Sequence, residues 1–301
     1  MKTRHLILTS TLGAVALGAA TLAVMATHTD RTIQRHRVAV SQAGLQGPSG
    51  AGPSAEALAA LPAPVQRYLA FAFPEGVPRL TQVELAMAGQ FRRPGQLNFT
   101  PTTAQQTIAA GTPAMLFDAT TPIVPGVWAR AYDAFVDGRM EMKAKILSAV
   151  AVVDEPASAE LDRISLRRWL LESPLYPVAL LPGGPVRWEA VDAQRARAVV
   201  QDRGMTASLL ATFGMDGALL RFDAETDGDL TTPYHGSGEH VARSDYQRVD
   251  GMMIPLGFTV ARAAGGQLYP FWEGRVTRIR FTHVAPAVAA AATLDQAAPR
   301  R

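Results

Sequence analysis

Cysteine is absent from all 301 residues. Without thiols the chain forms no disulfide, holds no thiolate-bound metal, uses no cysteine nucleophile and carries no lipidated N-terminal cysteine. Lysine occurs only as Lys2, Lys143 and Lys145, and asparagine only as Asn98, while arginine and alanine are plentiful. That bias resembles the coding habit of a GC-rich bacterial genome, in which the lone sequon at Asn98 carries no meaning. Also missing are a G-x-x-x-x-G-K-[ST] phosphate loop, a strand-linked G-x-G-x-x-G turn and a G-x-S-x-G elbow. Nucleotide binding and α/β-hydrolase chemistry therefore lack their usual signatures.

Excess positive charge on the folded part is missing too. The formal charge is +3, but Lys2, Arg4, Arg31, Arg35 and Arg37 all precede residue 38, against one acid, Asp30. The remainder holds 24 basic and 25 acidic residues, a net charge of −1. A nucleic-acid binder carries its positive charge on the domain, so no nucleic-acid partner is expected.

What is present begins with a basic pair, Lys2 and Arg4, followed by residues 6–27 without a charge. A run of 22 residues is long enough to span a bilayer, which needs about 20. It exceeds the apolar core of a usual signal peptide, although Val24-Met25-Ala26 offers a cleavage site, so anchor and signal peptide both remain open. The expectation is a single-pass protein of the bacterial cell membrane with its domain exported. Residues 28–60, rich in Gly, Pro, Ser and Ala from 41 onward, read as a flexible tether. One domain is expected over 61–284, with 285–301 as a loose tail.

The only strong helix signal in the domain lies near 158–173. Ser158 can cap it, Pro156 can sit in its first turn, Glu160 suits its positive end, and Pro174 stops it. At 100° per residue, Leu166, Trp169 and Leu170 share one arc with Asp162, while Leu161, Ile164 and Leu171 share a second with Arg168. Two apolar stripes imply contact on two sides. Strand-like runs flank this helix: 80–91, 105–110, 114–120, 127–135 and 139–153 before it, then 186–191, 195–201, 206–213, 218–225, 239–249, 252–261 and 269–281. Asp137-Gly138 and Asp250-Gly251 read as tight hairpin turns. The fold class is α+β: a curved, mainly antiparallel sheet, a half-barrel, wrapped around a central helix, with an N-terminal transmembrane or signal helix ahead of it.

Short segments then add a likeness. Residues 61–69 (LPAPVQRYL), 135–139 (FVDGR), 169–181 with Tyr176-Pro177, 188–190 (WEA) and 271–274 (FWEG) occur in an order that resembles an uncharacterised bacterial family known only as a domain of unknown function. That family's fold is similar to the lipoprotein-carrier class, LolA/LolB-like, in which a curved sheet wraps a helix around an apolar cavity. The resemblance transfers no catalytic residue.

Two further chemistries have partial support. His235 and His240 lie in a Gly/Ser-rich stretch with Ser237 and Glu239, the residue types of a serine–histidine–acid site. Glu160, Asp162 and Glu172 on the helix could do acid–base work if buried. No metal or cofactor spacing is recognisable. The leading expectation is a membrane-tethered, non-enzymatic binder of a lipid or other apolar ligand. The residues expected to line its site are Asp162, Leu166, Trp169, Leu170, Tyr176, Trp188, Phe271 and Trp272, because pockets are mostly apolar with a few polar groups. An envelope hydrolase and a protein-interaction module at the membrane are the alternatives.

Overall fold

The computed structural model describes residues 2–47, 52–93, 96–228, 230 and 239–284; in the first helix its side chains are described at Gly13 and from residue 16 onward. The domain is one sheet of thirteen strands: β1 (Leu80–Phe91), β2 (Thr100–Ala109), β3 (Met115–Val124), β4 (Val127–Val136), β5 (Arg139–Ile146), β6 (Val150–Asp154), β7 (Val186–Ala190), β8 (Arg195–Asp202), β9 (Met205–Phe213), β10 (Leu219–Asp223), β11 (Glu239–Val249), β12 (Met252–Ala264) and β13 (Gln267–His283). Their order is β6-β5-β4-β3-β2-β1-β13-β12-β11-β10-β9-β8-β7, antiparallel at each pairing. Two meanders thus run outward from a seam formed by the first and last strands. Helix α4 (Ala159–Glu172) joins the free edges β6 and β7 and touches β4, β5, β8, β9 and β11 on the concave face.

The expected antiparallel sheet with a helix on its concave face is what the chain forms, and the turn chemistry explains its register. Asp137-Gly138 (φ 54°, 73°) and Asp250-Gly251 (φ 52°, 76°) supply the paired positive φ values that a type I′ hairpin needs. One strand reading needs correction. Residues 139–153, expected as one long strand, form the β5–β6 hairpin, turning at Leu147 (φ 53°) and Ser148 (φ 60°). Neither residue announces a turn; Trp128 holds it instead. Its carbonyl accepts from Leu147 N at 2.9 Å, and its indole Nε1 donates to Ser148 Oγ at 3.2 Å.

The segment read as a tether needs a larger correction. Helix α1 runs unbroken over Lys2–Leu45, about 66 Å at 1.5 Å per residue. Its second half lies on the convex face, where Ile33 and Val40 pack against Ala109, Leu116, Tyr132 and Ala134. Gly44 lets the helix approach the sheet, since a Cβ there would lie 2.4 Å from the Thr81 carbonyl oxygen. Polar contacts pin the same half. Arg130 pairs with Asp30 and, bidentately, with Asp118 at 2.8 and 2.7 Å. His36 Nε2 lies 3.3 Å from Glu141. The composition of 41–60 suited a linker, but apolar residues at helical spacing between the arginines give 28–45 a sheet to pack on. Short helices α2 (Ala55–Ala59) and α3 (Ala63–Ala72) follow, and α3 buries Val65, Tyr68, Leu69 and Ala72 in the main core. Among the described residues no helix is long and apolar enough to cross a membrane.

The seam at β1–β13 depends on two facing glycines. A Cβ on Gly89 would lie 2.1 Å from the Glu273 carbonyl oxygen, and one on Gly274 would lie 2.3 Å from that of Ala88. Gly89→Ala is therefore expected to cost about 1–3 kcal/mol, the range for forcing atoms into a packed site, read as a lowered urea midpoint; an unchanged midpoint contradicts the constraint.

The α1 contact also makes stability depend on acid. The Glu141 carboxyl is held down from 4.5 to about 2, chiefly by the His36 imidazole 3.3 Å away, against the effect of burial. A depressed folded-state value adds stability above the ordinary value, lost as pH falls from about 4.5 towards 2. Glu141→Gln is expected to melt below the wild type at neutral pH and to converge with it near pH 2; a constant gap at all pH values contradicts the linkage.

Candidate functional site

Helix α4 is set by contacts at both ends. Ser158 caps it by accepting from Leu161 N at 3.1 Å, with Pro156 outside the helix. Asp162, the buried acid within an apolar arc, has found the partners that burial demands. Its Oδ1 accepts from Met140 N at 2.7 Å and its Oδ2 lies 3.7 Å from Arg139, so it ties the helix to the start of β5. The arc of Leu166, Trp169 and Leu170 enters the core. Trp169 Nε1 donates to the Ala109 carbonyl at 3.2 Å, and the Tyr176 hydroxyl donates to the Trp169 carbonyl.

The opposite arc faces empty space. Arg168, Leu171 and Glu172 look across a cavity of about 270 Å³ onto the concave side of β1–β5 and β11–β13. The cause of the space is legible in the register. Ala119, Ala131 and Ala144 are directly paired across β3, β4 and β5, and all three line the cavity. Three methyl groups in a row leave a trough where a packed core would place larger side chains. Met87, Phe117, Met142, Phe258 and Trp272 close its sides.

Polar groups gather at the deep end. Arg168 donates to Asp133 Oδ2 at 2.5 Å, sits 3.6 Å from Glu172, and lies 4.8 Å above the Phe117 ring. Arg243, only 6% exposed, donates to the Leu171 carbonyl at 3.1 Å, and burial pulls its pKa below the ordinary arginine value. Glu239 completes this end. The arrangement is an apolar pocket with a charged floor, able to take an apolar chain beside a polar terminus.

Of the residues expected to line a site, Phe271 and Trp272 do so. Neighbours on a strand normally face opposite ways; here Val260 pairs with Trp272 and Ala261 with Pro270, leaving Phe271 as a bulge, so both rings turn inward. Asp162, Leu166, Trp169, Leu170, Tyr176 and Trp188 do not line the cavity. The first five are buried in packing or hydrogen bonding. Trp188 lies partly buried against Phe213 and Phe222, its indole donating to the Leu180 carbonyl at 3.0 Å. The lining of Ala119, Ala131, Ala144, Arg168 and Arg243 was not read from sequence. Arg168 did carry a signal, a cation inside an apolar arc; the alanines become visible only once the strands are paired.

The residues considered for hydrolysis separate. His235 and Ser237 lie outside the described residues. His240 Nδ1 meets Asp223 Oδ1 at 2.7 Å, but His240 alternates with Glu239 and Val241, so the pair lies on the sheet face opposite the cavity. Glu160 pairs with Arg163 at the surface. Of the helix carboxylates only Glu172 reaches the cavity. Among the described residues no group of three His, Asp or Glu side chains could hold a metal ion.

A domain built this way belongs to the curved-sheet α+β class. Residues 59–281 match the family of unknown function DUF6920, and the chain belongs to it. A search of curated proteins finds no match. Among solved structures, the chain is similar to the LolA superfamily protein NE2245 from Nitrosomonas europaea, with 10% identity over 75% of this chain and 96% of that one and a TM-score of 0.40.

The buried ion pair can be tested directly. Arg168→Met removes the partner of Asp133, itself only 9% exposed, and is expected to cost about 3–5 kcal/mol, as for other broken buried pairs. Chemical denaturation measures it; a loss below about 1 kcal/mol, the level of a surface pair, contradicts the assignment.

Proposed function

We propose that this protein is a membrane-anchored binder of a lipid or another apolar ligand, held in the trough between α4 and the sheet. The observation that carries the reading is the register-aligned row Ala119–Ala131–Ala144, which keeps an apolar cavity open where the rest of the concave face is packed. Thr102 and Thr121, hydrogen-bonded at 2.8 Å, and the charged floor supply the few polar groups that orient a ligand.

The apolar run of residues 6–27 is the anchor in this reading. It forms the first half of α1, away from the sheet, and its described side chains are mostly exposed, Leu17 and Val24 each at 70%. No described helix reaches the apolar length of a span by itself, so the reading rests on the 22 uncharged residues of the run and on the exposed side chains of Leu17, Val24 and Met25, which a bilayer would cover. A single-pass protein of the bacterial cell membrane with an exported domain fits the basic pair that precedes the run. No catalytic step is proposed: at the cavity floor Arg168 is paired with Asp133 and Glu172, Arg243 donates to the Leu171 carbonyl, and no histidine lines the cavity among the described residues.

Filling the trough tests the ligand. The full chain in nanodiscs is titrated with a fluorescent naphthylamine that brightens in apolar surroundings, with empty nanodiscs as the blank. Ala131→Phe places a ring in the middle of the alanine row. It is expected to weaken probe binding at least tenfold, about 1.4 kcal/mol, with the melting temperature held or raised. Equal binding by variant and wild type contradicts a ligand in this cavity.

A further inference from the structure

The base of the α1 stem and the open end of the cavity lie together. On the convex face α1 crosses the sheet from Thr29 and Asp30, which meet Lys145 and Arg130, to Gly44 beside Thr81. Lys145 is next to the last residue of β5, and Arg130 is near the start of β4. The stem therefore leaves the domain past two turns, the one joining β3 to β4 and the one joining β5 to β6. On the concave face the residues lining the cavity at those same turns are Ile123, Ala129, Ile146 and Val152. Ile123 and Val152 are exposed, whereas Asp133, Glu239 and Arg243 at the other end are buried. The mouth and the stem share one end of this half of the sheet.

That end is also apolar around its rim. Ile123, Val124, Trp128, Val150 and Val152 are all exposed, from 37% for Trp128 to 58% for Val152, and all lie on these two turns or the strands entering them. Scattered surface apolar residues need no explanation, but five together at one rim of the sheet do. Cations flank them: Arg31 and Lys145 at the stem base, and Arg93 on the cavity lining. Apolar turns with a tryptophan, flanked by Arg31, Lys145 and Arg93 as well as by the paired acids Asp30 and Asp154, match the chemistry of a lipid surface with anionic headgroups.

The geometry points to a bilayer-docking surface. The β3–β4 and β5–β6 turns rest on the same membrane that α1 enters, which seats the cavity mouth at the lipid interface. An acyl chain then passes from the leaflet into the trough without crossing water. Because α1 is one continuous helix pinned to the sheet by Ile33, Val40 and the Asp30–Arg130–Asp118 chain of ion pairs, the orientation is fixed by the fold rather than left to a tether. This inference rests on the anchoring and apolar-ligand reading above and adds the face by which the ligand arrives.

The cysteine-free chain allows a direct test. Single variants Val124→Cys and Val150→Cys, with Val77→Cys as the reference at the far end of β1, are labelled with an NBD dye in the full chain. Each is reconstituted in phosphatidylcholine–phosphatidylglycerol vesicles with and without nitroxide lipids. The labels at 124 and 150 are expected to emit at shorter wavelength and to be quenched several-fold more than the label at 77. Water-like emission at 124 and 150 overturns the docking. So does a blue shift that lipid nitroxides leave unquenched and that grows with protein density, since the cover is then a second copy of the chain. The naphthylamine titration is run on the same samples: probe binding with water-exposed labels overturns the docking and leaves the ligand reading standing, while quenched labels without probe binding support the docking and remove the ligand. Protein that separates from the vesicles overturns both the anchor and the docking.

Discussion

A sheet of thirteen antiparallel strands cannot lie flat. Each strand turns by roughly 20–25° relative to its neighbour, and the turns accumulate into a deep trough. Helix α4, of 14 residues, occupies that trough together with α3 and the turns that follow α4. Between them these elements do not fill so wide a space. On one side of α4, Trp169 and Leu170 pack densely with Tyr176 and the strands beyond. On the other, the alanines of β3–β5 leave the space open. The cavity follows from the mismatch between sheet curvature and helix bulk, placed on one side by the small residues in register. The same curvature requires the glycine pair at the seam, where β1 and β13 come too close for any side chain.

The convex face meets a different need. An antiparallel sheet with one face in the core normally exposes polar residues on the other. Here β2–β4 carry Ala109, Leu116, Tyr132 and Ala134 outward, and the docked half of α1 covers them. One helix therefore serves as lid for the outer core and as stem for the apolar run, so whatever holds the stem also orients the domain. Glu141, with His36 Nε2 3.3 Å away and the Tyr132 hydroxyl donating to it at 2.6 Å, gives that contact direction as well as burial.

Much of the fold was legible because its signals are local. Period-two alternation marked the strands, paired Asp-Gly residues marked two hairpins, and Ser158 with Pro174 bracketed the helix. The resemblance to an uncharacterised family was carried by the same short segments and is matched by the family assignment. What failed to show was non-local. The β5–β6 turn is made by Leu147 and Ser148 at positive φ, without the Gly, Asn or Asp that such a turn favours, and is stabilised by a tryptophan on another strand. Residues 28–45 resembled a linker because their partner is a sheet face more than sixty residues away. The site itself was half visible: large aromatics drew attention to Trp169 and Tyr176, which pack, while the cavity is defined by what is small. A row of alanines carries no signal until pairing brings it into line.

The most direct test of the central claim is a count of lipid carried by the protein. The full chain is extracted from bacterial membranes in a mild detergent, exchanged until free lipid is gone, and weighed by native mass spectrometry. One tightly held apolar molecule per chain is expected, of narrower composition than the surrounding membrane. A protein that retains nothing, or only a washable sample of the bulk lipid, contradicts it.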